Sequence, residues 1–244
     1  MIEPAAELRP AVTGDAAFQN EVLEDVASAV NYQSWLLSLV EQQLGDDPLE
    51  IGSGIGAYAA ALADLGQRVT VSEAFGPSLS RLRERFVDSP LVSVRDLAVP
   101  NSDVAGDYSA VFSFNVLEHI PDDAAAVAAM ARLVRPGGPV MLFVPAFDLL
   151  MSAYDRQVGH QRRYRALGLR QVLEGAGLSV ERLHYVNAPG YLAWFVGMRL
   201  LKGRPKDGPA LRVWDRVVVP AARRLEARHA PPFGQSLFAV ARRV

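Results

Sequence analysis

The chain of 244 residues contains no cysteine. That excludes disulfides, a thiol nucleophile and any cysteine-ligated metal. It also lacks an excess of charge: the formal net value is −2, which gives no overall pull toward nucleic acid. Long hydrophobic runs are missing. The longest, Tyr191 to Met198, falls well short of the roughly 20 residues a membrane-spanning helix needs. The opening residues, Met-Ile-Glu-Pro-Ala-Ala-Glu, have neither the basic nor the apolar region of a secretory signal. A soluble, cytoplasmic protein is the expectation. No His/Asp grouping has the spacing of metal ligands, so no metal is expected. There is no internal repeat and no low-complexity tract. Half of the residues are apolar, enough for one full α/β core at this length.

Charge is unevenly placed. Residues 1–30 hold six acids and one base, whereas residues 199–244 hold eleven Lys or Arg and three acids. The basic end reads mainly as a solvated face. A membrane-surface role for the apolar stretch 191–201, with Arg199, Lys202, Arg204 and Lys206 beside it, is possible in composition but not favoured.

The most informative segment is Asp47-Pro-Leu-Glu-Ile-Gly-Ser-Gly-Ile-Gly-Ala-Tyr58. An apolar run meets glycines at alternate positions 52, 54 and 56, and an alanine-rich helical pattern follows. Glycine suits a turn with positive φ and lets a ligand approach the backbone. The N–H groups of a helix start favour a polar or anionic group. The segment reads as a cofactor cradle, although Gly52-x-Gly54-x-x-Ala57 also fits a dinucleotide fingerprint. Downstream lie Gln67-Arg-Val-Thr-Val-Ser-Glu73, Ser93-Val-Arg-Asp96-Leu97, Ser109-Ala-Val-Phe-Ser-Phe-Asn115-Val-Leu-Glu118-His119 and Leu133-Val-Arg-Pro-Gly-Gly-Pro-Val-Met-Leu-Phe-Val144. Each reads as a strand, three of them with polar residues at or just past the end. Alternation of strand and helix from 47 to 144 predicts a parallel sheet with crossover helices.

Taken together, from about Leu49 to Val186, these segments resemble the class I S-adenosylmethionine-dependent methyltransferases. The resemblance implies a doubly wound, seven-stranded, mostly parallel Rossmann-like sheet, and S-adenosylmethionine as cofactor. It assigns Gly52, Ser53, Gly54 and Gly56 to the methionine and ribose end, and Glu50 to orienting the loop or the amino group. Glu73 is assigned to the ribose hydroxyls, Asp96 and the Leu97 backbone to adenine, and Asn115 to the methionine portion. The division predicted is an N-terminal helical lid (1–45), a cofactor-binding core (46–186), a helical insertion over the substrate pocket (187–232) and a last strand, Ser236 to Val244, inserted antiparallel (233–244). Helical patterns cover 16–44, 167–177, 190–202 and 209–228.

On the acceptor side, the segment after strand five carries Arg156, His160, Arg162, Arg163 and Arg165 against one acid, Asp155. Guanidinium groups there suit a phosphate or carboxylate. His160, Arg162, Arg163 and Tyr164 are therefore expected to hold an anionic substrate group, with Asn31, Tyr32 and Tyr191 on the apolar walls. The 155–164 segment, with Pro231-Pro-Phe-Gly-Gln-Ser-Leu-Phe238, is similar to a group of bacterial methyltransferases that includes C-methylating enzymes of isopentenyl diphosphate. That implies methyl transfer to a small apolar acceptor with an anionic tail. The alternatives are O-methylation of a carboxylate, phenol or sugar, and a non-catalytic cofactor-binding module. His119, Tyr32 and Tyr154 are the candidate catalytic bases. The oligomeric state is left open.

Overall fold

The structure, a computed structural model, describes residues 28–244 apart from 75, 101–104 and 204–205. The strands are β1 (Pro48–Ile51), β2 (Val69–Glu73), β3 (Val92–Asp96), β4 (Ala110–Phe114), β5 (Pro139–Pro145), β6 (Leu178–Val186) and β7 (Ser236–Arg243). They form one sheet in the order β3-β2-β1-β4-β5-β7-β6. The first five pair in parallel, and β7 lies antiparallel between β5 and β6. Strand order reverses between β1 and β4. In open α/β sheets the crevice at such a reversal, beyond the strand C-termini, is where ligands bind.

The run Pro-Val-Met-Leu-Phe-Val-Pro of β5 is buried along its whole length. Successive side chains of a strand alternate between faces, so a strand covered on both sides is apolar throughout. Val140, Leu142 and Val144 join one core with α4 (Asp123–Leu133) and α6 (Ala166–Gly175) through Ala126, Met130, Leu169 and Leu173. Met141 and Phe143 join the other. There Leu36, Leu37 and Val40 of α1 (Val30–Val40) pack with Leu62 of α2 (Ala57–Asp64), Leu82 of α3 (Gly76–Arg85) and Val219 and Ala222 of α9 (Val219–Glu226). Helices on both faces make the sheet doubly wound, as the alternation predicted.

Boundaries differ from the sequence reading in instructive places. The predicted N-terminal helix is seen as α1 with a 3-10 turn to Gln43, and Gly45 follows at φ +71°; the part over 16–27 lies outside the described residues. The stretch 190–202 divides into α7 (Ala188–Trp194) and a π-helical turn, Phe195–Leu200. The stretch 209–228 divides into α8 (Pro209–Val213), a second π-helical turn, Trp214–Val218, and α9. Among the described residues, no helix is long and apolar enough to cross a membrane.

Two acids of the 187–232 segment hold helix N-termini, one outside the segment and one within it. Ala29, which precedes α1, has no side chain able to cap the helix. Asp215, nearly inaccessible, takes that role from the insertion: its carboxylate accepts the N–H groups of Asn31 (3.1 Å) and Tyr32 (2.9 Å) and the Asn31 amide (2.9 Å). Glu226 likewise accepts the N–H groups of Asn187 and Ala188 at the start of α7, both at 2.9 Å. A carboxylate at a helix N-terminus satisfies orphan donors and meets the positive end of the dipole. Asp215→Ala leaves those donors buried without a partner, and its expected cost is about 1–3 kcal/mol of stability. Urea unfolding followed by circular dichroism measures it; an unchanged midpoint would remove Asp215 as the clamp.

Candidate active site

The glycine turn follows β1 at the strand-order reversal. Gly52, Gly54 and Gly56 sit at φ +70°, +54° and +74°, a region that only glycine enters without strain. A Cβ on Gly52 would lie 2.6 Å from Val116 Cγ2, and one on Gly56 2.6 Å from Phe86 Cε2. The turn is pinned from two sides: Ser53 N–H donates to Ser72 O (2.9 Å), and Gly54 N–H donates to the Glu73 carboxylate (3.0 Å). Glu73 is thereby fixed at the end of β2. Its registered neighbour on β3 is Asp96, which is exposed and followed by half-buried Leu97. Asn115, exposed past the end of β4, takes φ +53° while its N–H donates to Phe143 O (2.8 Å).

Glu50 lies beneath the turn and is almost wholly buried, with Oε2 lacking a hydrogen-bond partner. Burial pushes its carboxyl up to about 8; the Ser53 hydroxyl offsets part of the rise, and the charge of Glu73 adds to it. An orphaned buried carboxyl beside a glycine cradle is suited to receive a cationic or N–H donor group from a ligand. S-adenosylmethionine carries such an ammonium, and the cradle's lack of Cβ atoms suits its close approach. The residues present fit that cofactor.

Tyr32, from α1, is hydrogen-bonded to the side chains of Asn187 and Ser236, and burial raises its hydroxyl well above the usual range. It therefore serves poorly as a base. Tyr58, which the sequence reading did not single out, is half-buried, and its pKa is raised by desolvation and then by the proximity of Tyr32 and Glu50. Its ring lies 4.5 Å from Phe114. The signal available in sequence was an aromatic just inside the helix after the glycines. Tyr154, on α5 (Ala153–Gln157), packs edge-on against Trp194 at 5.7 Å. Tyr191 contacts the rings of Phe147 (5.5 Å) and Phe233 (5.3 Å), and Phe147 stacks on Tyr185 at 4.7 Å.

Of the candidate bases, His119 is the one that meets other chemistry-bearing groups. It ends a 3-10 turn, Leu117–His119, directly after β4. Glu118 beside it is fully buried, and neither carboxyl oxygen has a hydrogen-bond partner. Burial raises Glu118 to about 7, partly offset by His160 and Arg163. Burial lowers His119 to about 3, with His160 adding to the effect. The two imidazole rings meet edge to face at 4.7 Å, and His160 Nε2 lies 3.8 Å from Glu118 Oε1. One ligand atom from each of Glu118, His119 and His160 can be chosen so that all lie within 4.8 Å of one another. The sequence reading found no grouping with ligand spacing; the fold makes one by laying the segment after β5 against the turn after β4.

The basic segment also differs from the open anion clamp expected. Asp155 is fully buried and holds three partners: Arg163 (Nε 3.0 Å), His160 Nδ1 (2.9 Å) and the Ser152 hydroxyl and N–H. Burial alone would raise its carboxyl, but His160, Arg163 and Ser152 hold it well below the usual carboxylate range. Arg163 is itself buried, donates to Ala146 O (3.2 Å) and covers the Trp194 ring at 5.1 Å. Arg162 pairs with Asp123 at 2.7 Å, and the Tyr164 hydroxyl donates to the same carboxylate at 2.8 Å. Counting cations along the chain overlooked Asp123, which arrives from the start of α4. A cleft of about 350 Å³, lined by Gly45, Ser109, Arg135 and Gly138 among others, opens at the opposite end of the sheet and shares no residue with the cradle.

A sequence profile described as "Methyltransferase domain" matches residues 49–142. Residues 49–142 thus carry a methyltransferase domain, similar to those of the class I S-adenosylmethionine-dependent methyltransferases, whose cofactor is S-adenosylmethionine. The chain is 31% identical over 147 residues to a Mycolicibacterium smegmatis protein named "Probable S-adenosylmethionine-dependent methyltransferase", covering 59% of this chain and 56% of that one. It is 37% identical over 100 residues to a ubiquinone biosynthesis O-methyltransferase of Thiobacillus denitrificans, covering 38% and 42%. The aligned region thus spans about half the length of these relatives. Among solved structures, geranyl diphosphate C-methyltransferase of Streptomyces coelicolor A3(2) is similar in fold, with a TM-score of 0.60 at 15% identity over 86% of this chain and 77% of that one. Phosphoethanolamine N-methyltransferase 2 of Haemonchus contortus also has a TM-score of 0.60 at 15% identity, over 93% and 59%.

The Glu50 carboxyl predicts a pH effect in the ligand-free protein. With a folded pKa near 8 against 4.5, the folded state keeps a proton that the unfolded chain releases, so stability falls as pH rises from about 4.5 to about 8. Glu50→Gln should flatten that part of the profile. Denaturant midpoints at successive pH values test this; an unchanged slope would place the titration elsewhere.

Proposed function

We propose that the protein transfers a methyl group from S-adenosylmethionine to a small, largely apolar acceptor carrying an anionic group. The supporting observation is the conjunction of a Cβ-free cradle over Glu50 with the loop after β4, which presses Val116 onto Gly52 and carries Glu118 and His119 two and three residues further on. The sulfonium makes the methyl group electrophilic, so the protein's task is alignment and desolvation. Gly52, Ser53, Gly54 and Gly56 would hold the methionine and ribose end, with Glu50 toward the amino group. Glu73 would meet the ribose hydroxyls, Asp96 and Leu97 the adenine, and Asn115 the methionine portion. Glu118, His119 and His160 would provide for removal of a proton from the acceptor.

A short prenyl diphosphate such as isopentenyl diphosphate is the first acceptor to test. The aromatic group of Phe147, Tyr185 and Tyr191 would suit its hydrocarbon part and a developing positive charge. Arg162, partly exposed, would take the anion together with His160, Arg163 and Tyr164. For that, Asp123 or Asp155 must share its partners. This internal compensation favours a second reading, O-methylation of a hydroxyl acceptor, in which the arginines order the segment. In either case residues 28–45 and 187–232 would cover the acceptor.

Glu73→Ala is expected to weaken S-adenosylmethionine binding by about 1.5–3 kcal/mol, the range for a hydrogen bond to a charged group; unchanged calorimetric affinity would remove Glu73 from the site. Transfer of labelled methyl across a panel of prenyl diphosphates and hydroxylated aromatics separates the two acceptor readings. Turnover confined to the diphosphates supports the first, turnover confined to phenols replaces it with the second, and no turnover with any acceptor while the cofactor binds would support a non-catalytic module.

A further inference from the structure

We infer that Glu118, His119 and His160 bind one divalent transition-metal ion beside the methyl-donor cradle. The donor set is one carboxylate and two imidazoles, which suits Zn²⁺, Fe²⁺ or Mn²⁺ and is unlike the all-oxygen sets of Mg²⁺ and Ca²⁺. Glu118 is fully buried with both oxygens unpartnered, an expensive state for a group with no occupant to meet.

Both imidazoles are prepared in the way metal ligands are prepared. His160 bonds through Nδ1 to Asp155, which leaves Nε2 directed toward Glu118. Asp155 is in turn fixed by Arg163 and Ser152. His119 hydrogen-bonds to the Gly159 backbone, while its Nδ1 has no partner. The bond to Gly159 therefore comes from Nε2, and Nδ1 is the free donor atom. A carboxylate or carbonyl on the far nitrogen of a ligating histidine sets the tautomer and ring orientation. Here each ring has one such partner; His160 Nε2 lies 3.8 Å from Glu118 Oε1, and one nitrogen of His119 lies within 4.8 Å of both.

Ligand bonds to such an ion are roughly 2.0–2.2 Å, so the three donor atoms, now within 4.8 Å of one another, must draw together by about an ångström. Side-chain rotation of Glu118, whose carboxylate oxygens have no partner, would supply that. Three protein ligands leave coordination positions open, the pattern of catalytic rather than structural sites. An oxygen of the acceptor, hydroxyl or anionic, is the group that would fill one, and the ion would lower its pKa. The arginines need not then carry the anion alone.

Metal occupancy can be read without methyl transfer, so its failure and failure of the acceptor reading are separable. The full chain, free of any histidine tag and stripped with chelator, is titrated with Zn²⁺ by calorimetry and with Co²⁺ by visible absorption. The expected result is one ion per chain and a Co²⁺ ligand-field band. Glu118→Gln, which keeps the side-chain shape, and His160→Gln should each weaken Zn²⁺ binding by on the order of 100-fold or more, since even outer partners of ligating histidines count for 10–100-fold. His229→Ala, altering an exposed histidine, should change nothing. Circular dichroism of each variant guards against loss of fold. Failure of the unaltered chain to bind Zn²⁺ or Co²⁺ would overturn the inference, as would retention of full affinity in both site variants.

Discussion

The contact between Gly52 and Val116 is the constraint on which the site depends. The turn after β1 must enter positive φ, and the space a side chain would need is filled by the Val116 methyl groups. That close approach joins the turn after β1 to the loop after β4 across the strand-order reversal. One partner brings the N–H groups and buried Glu50; the other brings Asn115, Glu118 and His119. Any side chain at position 52 would push the two apart, so the cradle and the acid–imidazole group stand or fall together.

Around this junction, buried carboxylates do most of the organising. Asp155 draws Arg163, His160 and Ser152 into one cluster, and so sets the direction in which His160 points. Asp215 reaches from the insertion to the N-terminus of α1, which lacks a cap of its own, and Glu226 adds to the Asn187 cap of α7 within the insertion. Each gathers several donors, which is the condition under which a buried charge is tolerated. Glu118 does not meet that condition, and Glu50 leaves one oxygen unmet. The contrast marks these two as positions arranged for something other than the fold itself.

The strands and their glycine turns were legible in the sequence because apolar runs ended by Gly, Asp, Glu and Asn carry their signal locally. The seven-stranded, mostly parallel sheet followed from the resemblance, and β7 is antiparallel as that resemblance implied. Helix boundaries in 187–232 were less legible. The π-helical turns at Phe195–Leu200 and Trp214–Val218 leave no mark in a hydrophobic period of 3.6. The acid–imidazole group was missed for a different reason. Glu118 and His119 lie on one loop and His160 on another, and contacts between the two loops, such as the backbone bond from Gln161 to Glu118 O (2.8 Å), bring them together. Similarly, the arginines of the basic segment could be counted but their partners could not, since Asp123 belongs to a different element.

The claim that the glycine turn is the methyl-donor cradle is tested most directly by calorimetric titration with S-adenosylhomocysteine, the demethylated cofactor, of the unaltered chain and of Gly52→Val. The account predicts one site per chain in the former and no measurable binding in the latter, with the sheet's circular dichroism retained. Binding of equal strength by a folded Gly52→Val protein would contradict it.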